Sequence, residues 1–319
     1  MKPSIAFIGL GIMGHRMLNN MQTHGGFDLA YAWDPDAAVC KAVADRFDGI
    51  RIGASAPEII NADDTDVVYI ACPPAAHRGY AMAAADAGKI VYCEKPLGVD
   101  VAESRALVEH VEAAGVANVV NFPFASSRAI AEIADRLADN TVGDVSGFDI
   151  RLHFAKWPRD WQAGATWLAE KKEGGYVREV FSHYAYMTEK LFGPAKIVSA
   201  STRYPADPKL CETHFWAQLD CGGVPVSVAG GSGGVGPDRV EAVIWGSKKS
   251  YRLWDWNQVY SITGGEWARE LADVDDPRQQ GYMRTLDDVL RLTKGEPNPL
   301  PPFRAALSVQ ELVEDILTR

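Results

Sequence analysis

The chain has 319 residues, 47% apolar and 23% charged, with 32 Lys and Arg against 42 Asp and Glu for a net charge of −10. A chain of this length buries a full core and suggests about two domains, and its composition excludes disorder and low complexity. The acidic balance argues against a nucleic-acid or anionic-membrane partner, which needs clustered positive charge.

The first 122 residues alternate regularly. Short apolar runs at Ile5–Ile8, Leu29–Trp33, Val67–Ala71, Ile90–Cys93 and Asn118–Phe122 read as strands. Helical stretches at Met13–His24, Ala37–Arg46, Ala75–Ala87 and Val101–Ala114 lie between them. Ser55 with Glu58 and Asp100 with Glu103 are spaced as N-terminal caps, while Gly25, Gly88 and Gly115 supply C-terminal turns. Such alternation predicts a parallel sheet covered on both faces, a doubly wound Rossmann domain over 1–122.

After Phe122 the pattern changes. A helix at Arg128–Ala138 precedes long alternating stretches at Val145–Ala155, Ile197–Arg203, Thr213–Asp220, Val224–Ala229, Val240–Trp245 and Ser250–Asn257. Cys221-Gly222-Gly223 and Gly246-Ser247 fall where hairpin turns belong. Helices are expected near Glu179–Leu191, Tyr282–Leu292 and Phe303–Leu317. Residues 123–319 therefore read as an α+β domain with an open, mostly antiparallel sheet.

No apolar run approaches the ~18 residues of a membrane span, and Lys2 is the one cation before the Ile5–Ile8 run, so no secretory leader is expected. Five cysteines without a CxxC pair point to a reducing cytoplasm rather than to disulfides or thiolate zinc. His15, His24, His110, His153 and His214 show no paired ligand spacing, and no metal is expected. The segment from Gly230 to Gly236 lacks the ending of a P-loop and reads as a hairpin.

Gly9-Leu10-Gly11-Ile12-Met13-Gly14 is a G-x-G-x-x-G between a predicted strand and a predicted helix. The first glycine allows the turn, the second admits a pyrophosphate to the helix N-terminus, and the third lets helix pack on strand. Asp34, just past the second strand, is placed to accept the adenosine ribose hydroxyls. A 2′-phosphate ~4 Å from it would meet repulsion of roughly 1–4 kcal/mol per charge pair, and no Lys or Arg follows, so NAD is expected over NADP.

Two further turns end strands on the expected ligand side of the sheet. Cys72-Pro73-Pro74 gives a stiff backbone suited to a flat ring, with His77 on the next helix facing either cofactor or solvent. In Tyr92-Cys93-Glu94-Lys95-Pro96, alternation puts Cys93 and Lys95 on one side and Glu94 on the other. A lysine must lose some basicity to exchange protons near neutrality, and an oxidised nicotinamide is one cation that would lower it.

These residues resemble the Gfo/Idh/MocA oxidoreductases. The likeness rests on the Gly9–Gly14 loop, Cys72-Pro73-Pro74 with His77, Glu94-Lys95-Pro96, Gly174-Gly175 followed by Glu179 and His183, Leu191-Phe192-Gly193, and Phe303–Gln310. The resemblance implies an N-terminal Rossmann domain, a C-terminal open-sheet domain, NAD(H) or NADP(H), sugar or cyclic-polyol substrates, and a homodimer or homotetramer formed through the sheet. By position it makes Lys95 the catalytic lysine, and it includes Glu94 and Lys95 among the cofactor contacts.

Glu179 and His183 stand four apart, so on a helix they share a face, and the carboxylate can orient the imidazole. With Lys95 they would form a proton relay. Members of the family have Asp where Glu179 stands, a second Asp where Tyr186 stands, and a small residue at Phe181, so the pocket reads as more aromatic than a sugar site. Trp157, Arg159, Trp161 and Arg178 could complete it, binding a substrate with a ring and an acid group. The expected activity is hydride transfer between nicotinamide and a sugar, polyol or related carbonyl. Reduction of a carbonyl or cyclic imine carrying an acid group is the alternative, and a non-catalytic dinucleotide sensor is the rival from another class.

Overall fold

The computed structural model describes all residues, Met1–Arg319. They form two compact units, one of Met1–Pro123 with Tyr282–Leu307 and one of Phe124–Gly281 with Ser308–Arg319.

The first unit runs β1 (Ser4–Ile8), α1 (Ile12–His24), β2 (Asp28–Trp33), α2 (Ala37–Arg46), β3 (Arg51–Ile52), α3 (Ala56–Ile60), β4 (Val67–Ile70), α4 (Pro74–Asp86), β5 (Ile90–Glu94), α5 (Val101–Ala114) and β6 (Asn118–Asn121). Its strands pair in parallel in the order β3-β2-β1-β4-β5-β6. That is the doubly wound order, with its switch point between β1 and β4. Every residue of those two strands is buried, as strands covered on both faces must be. The caps fall where the sequence put them: Asp100 accepts the Glu103 N–H at 2.8 Å, and Gly25 and Gly115 close α1 and α5 in left-handed conformations. Ser55 likewise accepts the Glu58 N–H, but Glu58 reaches back to the Ala54 N–H rather than to that of Ser55.

A boundary at 122/123 leaves Tyr282–Leu307 with the second half, whereas this segment belongs to the first unit. The physical reason is the edge of β6. The Val120 N–H donates to Pro301 O at 3.0 Å, and Asn118 Oδ1 accepts the Phe303 N–H at 2.8 Å.

The second unit comprises α6 (Arg128–Ala138), β7 (Val145–Phe154), α7 (Ser182–Phe192), β8 (Ala195–Arg203), β9 (His214–Cys221), β10 (Val224–Ser232), β11 (Arg239–Gly246), β12 (Ser250–Trp254), β13 (Gln258–Ile262) and β14 (Ala268–Arg269). Helices α8 (Pro277–Thr293) and α9 (Phe303–Leu317) end the chain. The eight strands run β14-β13-β12-β11-β7-β10-β9-β8, antiparallel except where β7 pairs with β10. Gly222 and Gly223 have φ of 63° and 89° in the β9–β10 turn, the two left-handed residues that a tight hairpin needs. Along β9, Phe215, Ala217 and Leu219 are buried while Trp216 and Gln218 face out, so one sheet face is core and the other open. The stretch read as one strand to Asn257 instead turns at Asp255 and Trp256 and returns as β13. No helix is long and apolar enough to cross a membrane.

Candidate functional site

In the first unit the glycine loop lies at the switch point. The Gly9 N–H donates to Trp33 O at 3.0 Å, φ at Gly9 is +90°, and a Cβ there would stand 2.5 Å from the Cys72 backbone nitrogen. A Cβ on Gly14 would run into Gly9 O. Gly11 differs: a Cβ on it would meet nothing within 4 Å. The first and third glycines therefore serve packing, and the second leaves an open approach to the start of α1. That helix has no side-chain cap at Gly11 and no acid in its first turn, where Ile12 is exposed and Met13 part-exposed. Its leading N–H groups thus carry no protein carboxylate, a setting that favours an anion and fits a dinucleotide pyrophosphate.

Asp34 shapes this loop. Its Oδ2 accepts the Leu10 N–H at 2.8 Å and its Oδ1 the Asp36 N–H at 2.9 Å. Each carboxylate oxygen has a further lone pair, so the residue retains capacity for a ribose hydroxyl.

β4 leads into the Cys72 turn, in which Pro73 is exposed and Pro74 is the buried first residue of α4. Burial pushes the Cys72 thiol up to about 12, which keeps it protonated. His77 faces neither cofactor nor solvent. It is completely buried, with Nδ1 2.9 Å from Pro96 O and Nε2 2.9 Å from Cys72 O. Burial lowers its basicity, and a neutral ring donates to only one of these carbonyls at a time. The imidazole thereby holds the Cys72 turn against the Lys95-Pro96 turn, whose peptide bond is cis.

Glu94 is likewise not an open contact. Its Oε1 accepts the Tyr69 hydroxyl at 2.6 Å and Asn121 Nδ2 at 2.7 Å, and Tyr92 in turn donates to Asn121 Oδ1. Burial raises the Glu94 carboxyl above its ordinary range, opposed by the hydrogen bonds of Tyr69 and Asn121 and by the nearby Lys95 charge. The alternation predicted for this strand end is what turns Glu94 into the core. Lys95 itself is partly exposed at the end of β5.

The second unit carries the remaining candidates. His183 lies buried in the first turn of α7, with the ring of Phe124 at 6.1 Å and that of Trp256 at 5.5 Å, both edge-on. The turn before it, Val177–Phe181, is π-helical, and the Ser182 N–H reaches back to Val177 O. Glu179 and His183 are therefore not on one continuous α-helix, and the four-residue spacing does not by itself set their faces. Phe181 is fully buried against Phe215 at 5.2 Å, so it fills the core rather than making the pocket more aromatic. Tyr186 is buried too.

Arg178, expected at the substrate, is bound within the protein instead. Its Nε and Nη2 donate to Glu314 at 2.6 and 2.8 Å, and Nη1 donates to Lys171 O and Gly174 O. This buried fork joins its segment to α9 and has little left to offer a substrate. Trp157 packs on Phe154 and Tyr176 and donates Nε1–H to Leu168 O at 3.1 Å, a packing role that leaves it part-exposed. Arg159 lies 4.8 Å from the Trp161 ring with Nε on Gln162 Oε1, and Trp161 is 50% exposed. Arg159, like Trp157, is part-exposed, and Trp161 is the most open of the three. Trp256 escaped sequence reading because its turn contains no glycine; the only signal was Asp255 beside Asn257, residues that tolerate left-handed backbone.

Residues 4–122 match the Gfo/Idh/MocA oxidoreductase family's NAD-binding Rossmann fold, and residues 134–318 match its C-terminal alpha/beta domain. The chain belongs to this family. It is 28% identical over 197 residues to a D-apiose dehydrogenase of Paraburkholderia graminis, covering 62% of this chain and 52% of that one. It is 30% identical over 189 residues to a levoglucosan dehydrogenase of Pseudarthrobacter phenanthrenivorans, covering 57% and 46%. The match thus spans about half the length of these relatives. Among solved structures, a 3-ketoreductase from Actinomadura kijaniata in complex with NADP and TDP-benzene superposes with a TM-score of 0.84 at 18% identity, over 100% of this chain and 98% of that one. An oxidoreductase from Agrobacterium radiobacter in complex with NAD+, L-tartaric acid and magnesium gives 0.85 at 19%, over 100% and 97%. Both show the shared fold, and the Rossmann unit of this chain is an NAD(P)-binding one.

Proposed function

We propose that the chain is a dehydrogenase of a sugar or cyclic polyol that prefers NAD over NADP. Lys95 and His183 handle the proton, and Glu179 steadies His183. The observation that carries the reading is the carboxyl end of β5, where Glu94 is turned into the core and Lys95 follows it into the turn that His77 fixes. Bound nicotinamide supplies or accepts the hydride. Lys95 Nζ takes the proton of the substrate hydroxyl, or in reverse donates to the carbonyl oxygen. His183, flanked by Phe124 and Trp256, is the second group that holds a proton. The dehydrogenase names of the D-apiose, levoglucosan and inositol relatives support a hydroxylated substrate. The Asp34 carboxylate and the lack of a following cation support NAD. Exposed Trp216 and Trp245 on the open sheet face support self-association there, which a monomer mass by light scattering would contradict.

The ring edges beside His183 also favour a second reading. In it, the substrate is a cyclic carbonyl or imine whose acid group meets Arg159 over Trp161.

The test is turnover of a polyol, sugar and keto-acid panel with each cofactor, repeated with Lys95→Met. The variant is expected to lose at least about a hundredfold in kcat while still quenching NADH fluorescence. A kcat within about tenfold of wild type overturns the role of Lys95. Quenching by the wild type without turnover of any substrate favours a dinucleotide sensor.

A further inference from the structure

The second unit buries a carboxylate that the proposed chemistry does not use. Glu212 stands in the connection before β9 and is 2% exposed. Its Oε1 accepts the Val177 N–H at 2.8 Å, across 35 residues of sequence. Val177 opens the π-helical turn that leads into α7, and neither that turn nor α7 has a side-chain cap of its own. The carboxylate lies directly over Gly175, whose φ is +97°, and a Cβ there would stand 2.6 Å from Glu212 Oε1 and closer still to Oε2. A Cβ on Gly174 would come within 2.5 Å of the Leu168 carbonyl. The two glycines and the glutamate therefore act together: Gly174 lets the chain pass against the Leu168 backbone, Gly175 makes room for the carboxylate, and the carboxylate satisfies the donor at the start of the turn. Gly175 O then accepts the Glu179 N–H at 3.0 Å, so the same point of backbone anchors the next candidate residue.

We propose that Glu212 is a positioning residue that fixes the entry of the segment bearing Glu179 and His183, and through it the orientation of the His183 imidazole. This rests on the reading of His183 as a proton-handling group. The charged and titratable groups around the carboxylate are Arg178 and Tyr176 of the same segment, Glu314 of α9, Tyr204 after β8, and the neighbouring Cys211. Burial pushes Glu212 up to about 7, against the opposing pull of Val177 N–H and the Arg178 charge. The cap therefore changes its charge in the range where an imidazole also titrates.

The experiment compares Glu212→Gln and Glu212→Ala with wild type, after thermal melts establish that each is folded. The first readout is the imidazole 15N resonance of His183 followed from pH 5.5 to 8.5 without cofactor. Wild type is expected to show a second inflection near that of Glu212, and Glu212→Gln to lose it. The second readout is kcat with the cofactor Kd alongside. Glu212→Ala is expected to lower kcat at least tenfold with cofactor Kd unchanged, and Glu212→Gln, which keeps an acceptor oxygen, to stay within threefold. An Ala variant within threefold of wild type, or an unchanged His183 titration in Glu212→Gln, overturns the inference. His183→Ala is run in parallel. If it leaves kcat intact, the reading of His183 fails; if it lowers kcat while Glu212→Ala does not, only the positioning role fails.

Discussion

The Tyr69 hydroxyl donates to Glu94 Oε1 at 2.6 Å, and both side chains are buried beneath the strand end that precedes Lys95. Asn121 Nδ2 shares that oxygen at 2.7 Å. Removing one donor leaves the acceptor with the Asn121 bond alone, and a single hydrogen bond contributes about 0.5–1.5 kcal/mol net. Tyr69→Phe is therefore expected to lower unfolding free energy by that amount in urea titration. A change below about 0.5 kcal/mol would mean that the bond contributes nothing net.

The three loop glycines are not equivalent, and two substitutions separate their roles. Gly9→Ala places a Cβ 2.5 Å from the Cys72 backbone nitrogen at a left-handed φ of +90°, with no flexible neighbour to yield. It is expected to lose both stability and cofactor binding. Gly11→Ala meets nothing within 4 Å inside the protein. Its melting temperature is expected to stay near wild type while NADH affinity, read by fluorescence titration, falls about tenfold or more because the pyrophosphate approach is filled. Unchanged affinity in Gly11→Ala would place the dinucleotide elsewhere.

What the sequence made legible was what local chemistry encodes. The alternation of apolar runs and capped helices marked the parallel Rossmann sheet, and Gly222-Gly223 marked a hairpin because left-handed residues close it. The Asp255-Trp256 hairpin was hidden because non-glycine residues adopt the same conformation there, held by packing of Trp256 on Tyr184 and Phe124. The π-helical turn was hidden because a hydrogen bond one residue longer leaves no distinct apolar spacing. The partners of Arg178 and His77 were out of reach for a different reason. Glu314 lies 136 residues from Arg178, and the carbonyls beside His77 belong to backbone that carries no residue signal. Polar groups buried by tertiary contact look, in sequence, the same as polar groups that await a ligand.

The Arg178–Glu314 pair offers a direct test of that distinction. Its two charged hydrogen bonds lie in a site where neither side chain is more than 16% exposed. Breaking a buried pair by removing one partner costs about 3–5 kcal/mol, since it strands the other charge. Arg178→Met and Glu314→Gln are expected to destabilise by similar amounts, and the double variant by less than their sum. A selective rise in KM for acid substrates with stability intact would instead restore Arg178 to the substrate site.

Glu212 makes stability depend on pH in a direction opposite to that of a salt-bridged acid. Its carboxyl is raised from an ordinary 4.5 to about 7, so the folded chain binds this proton more tightly than the unfolded chain does. The contribution of the group is fully present below the ordinary value, is lost as pH rises from about 4.5 to about 7, and is constant above that. The span corresponds to about 3 kcal/mol at most. Urea unfolding at pH 5 and pH 8 is expected to show Glu212→Gln gaining stability relative to wild type at the higher pH, because the variant never ionises. Equal differences between the two proteins at both pH values would mean that the carboxylate is fully compensated by Val177 and Arg178, and that the cap does not titrate in this range.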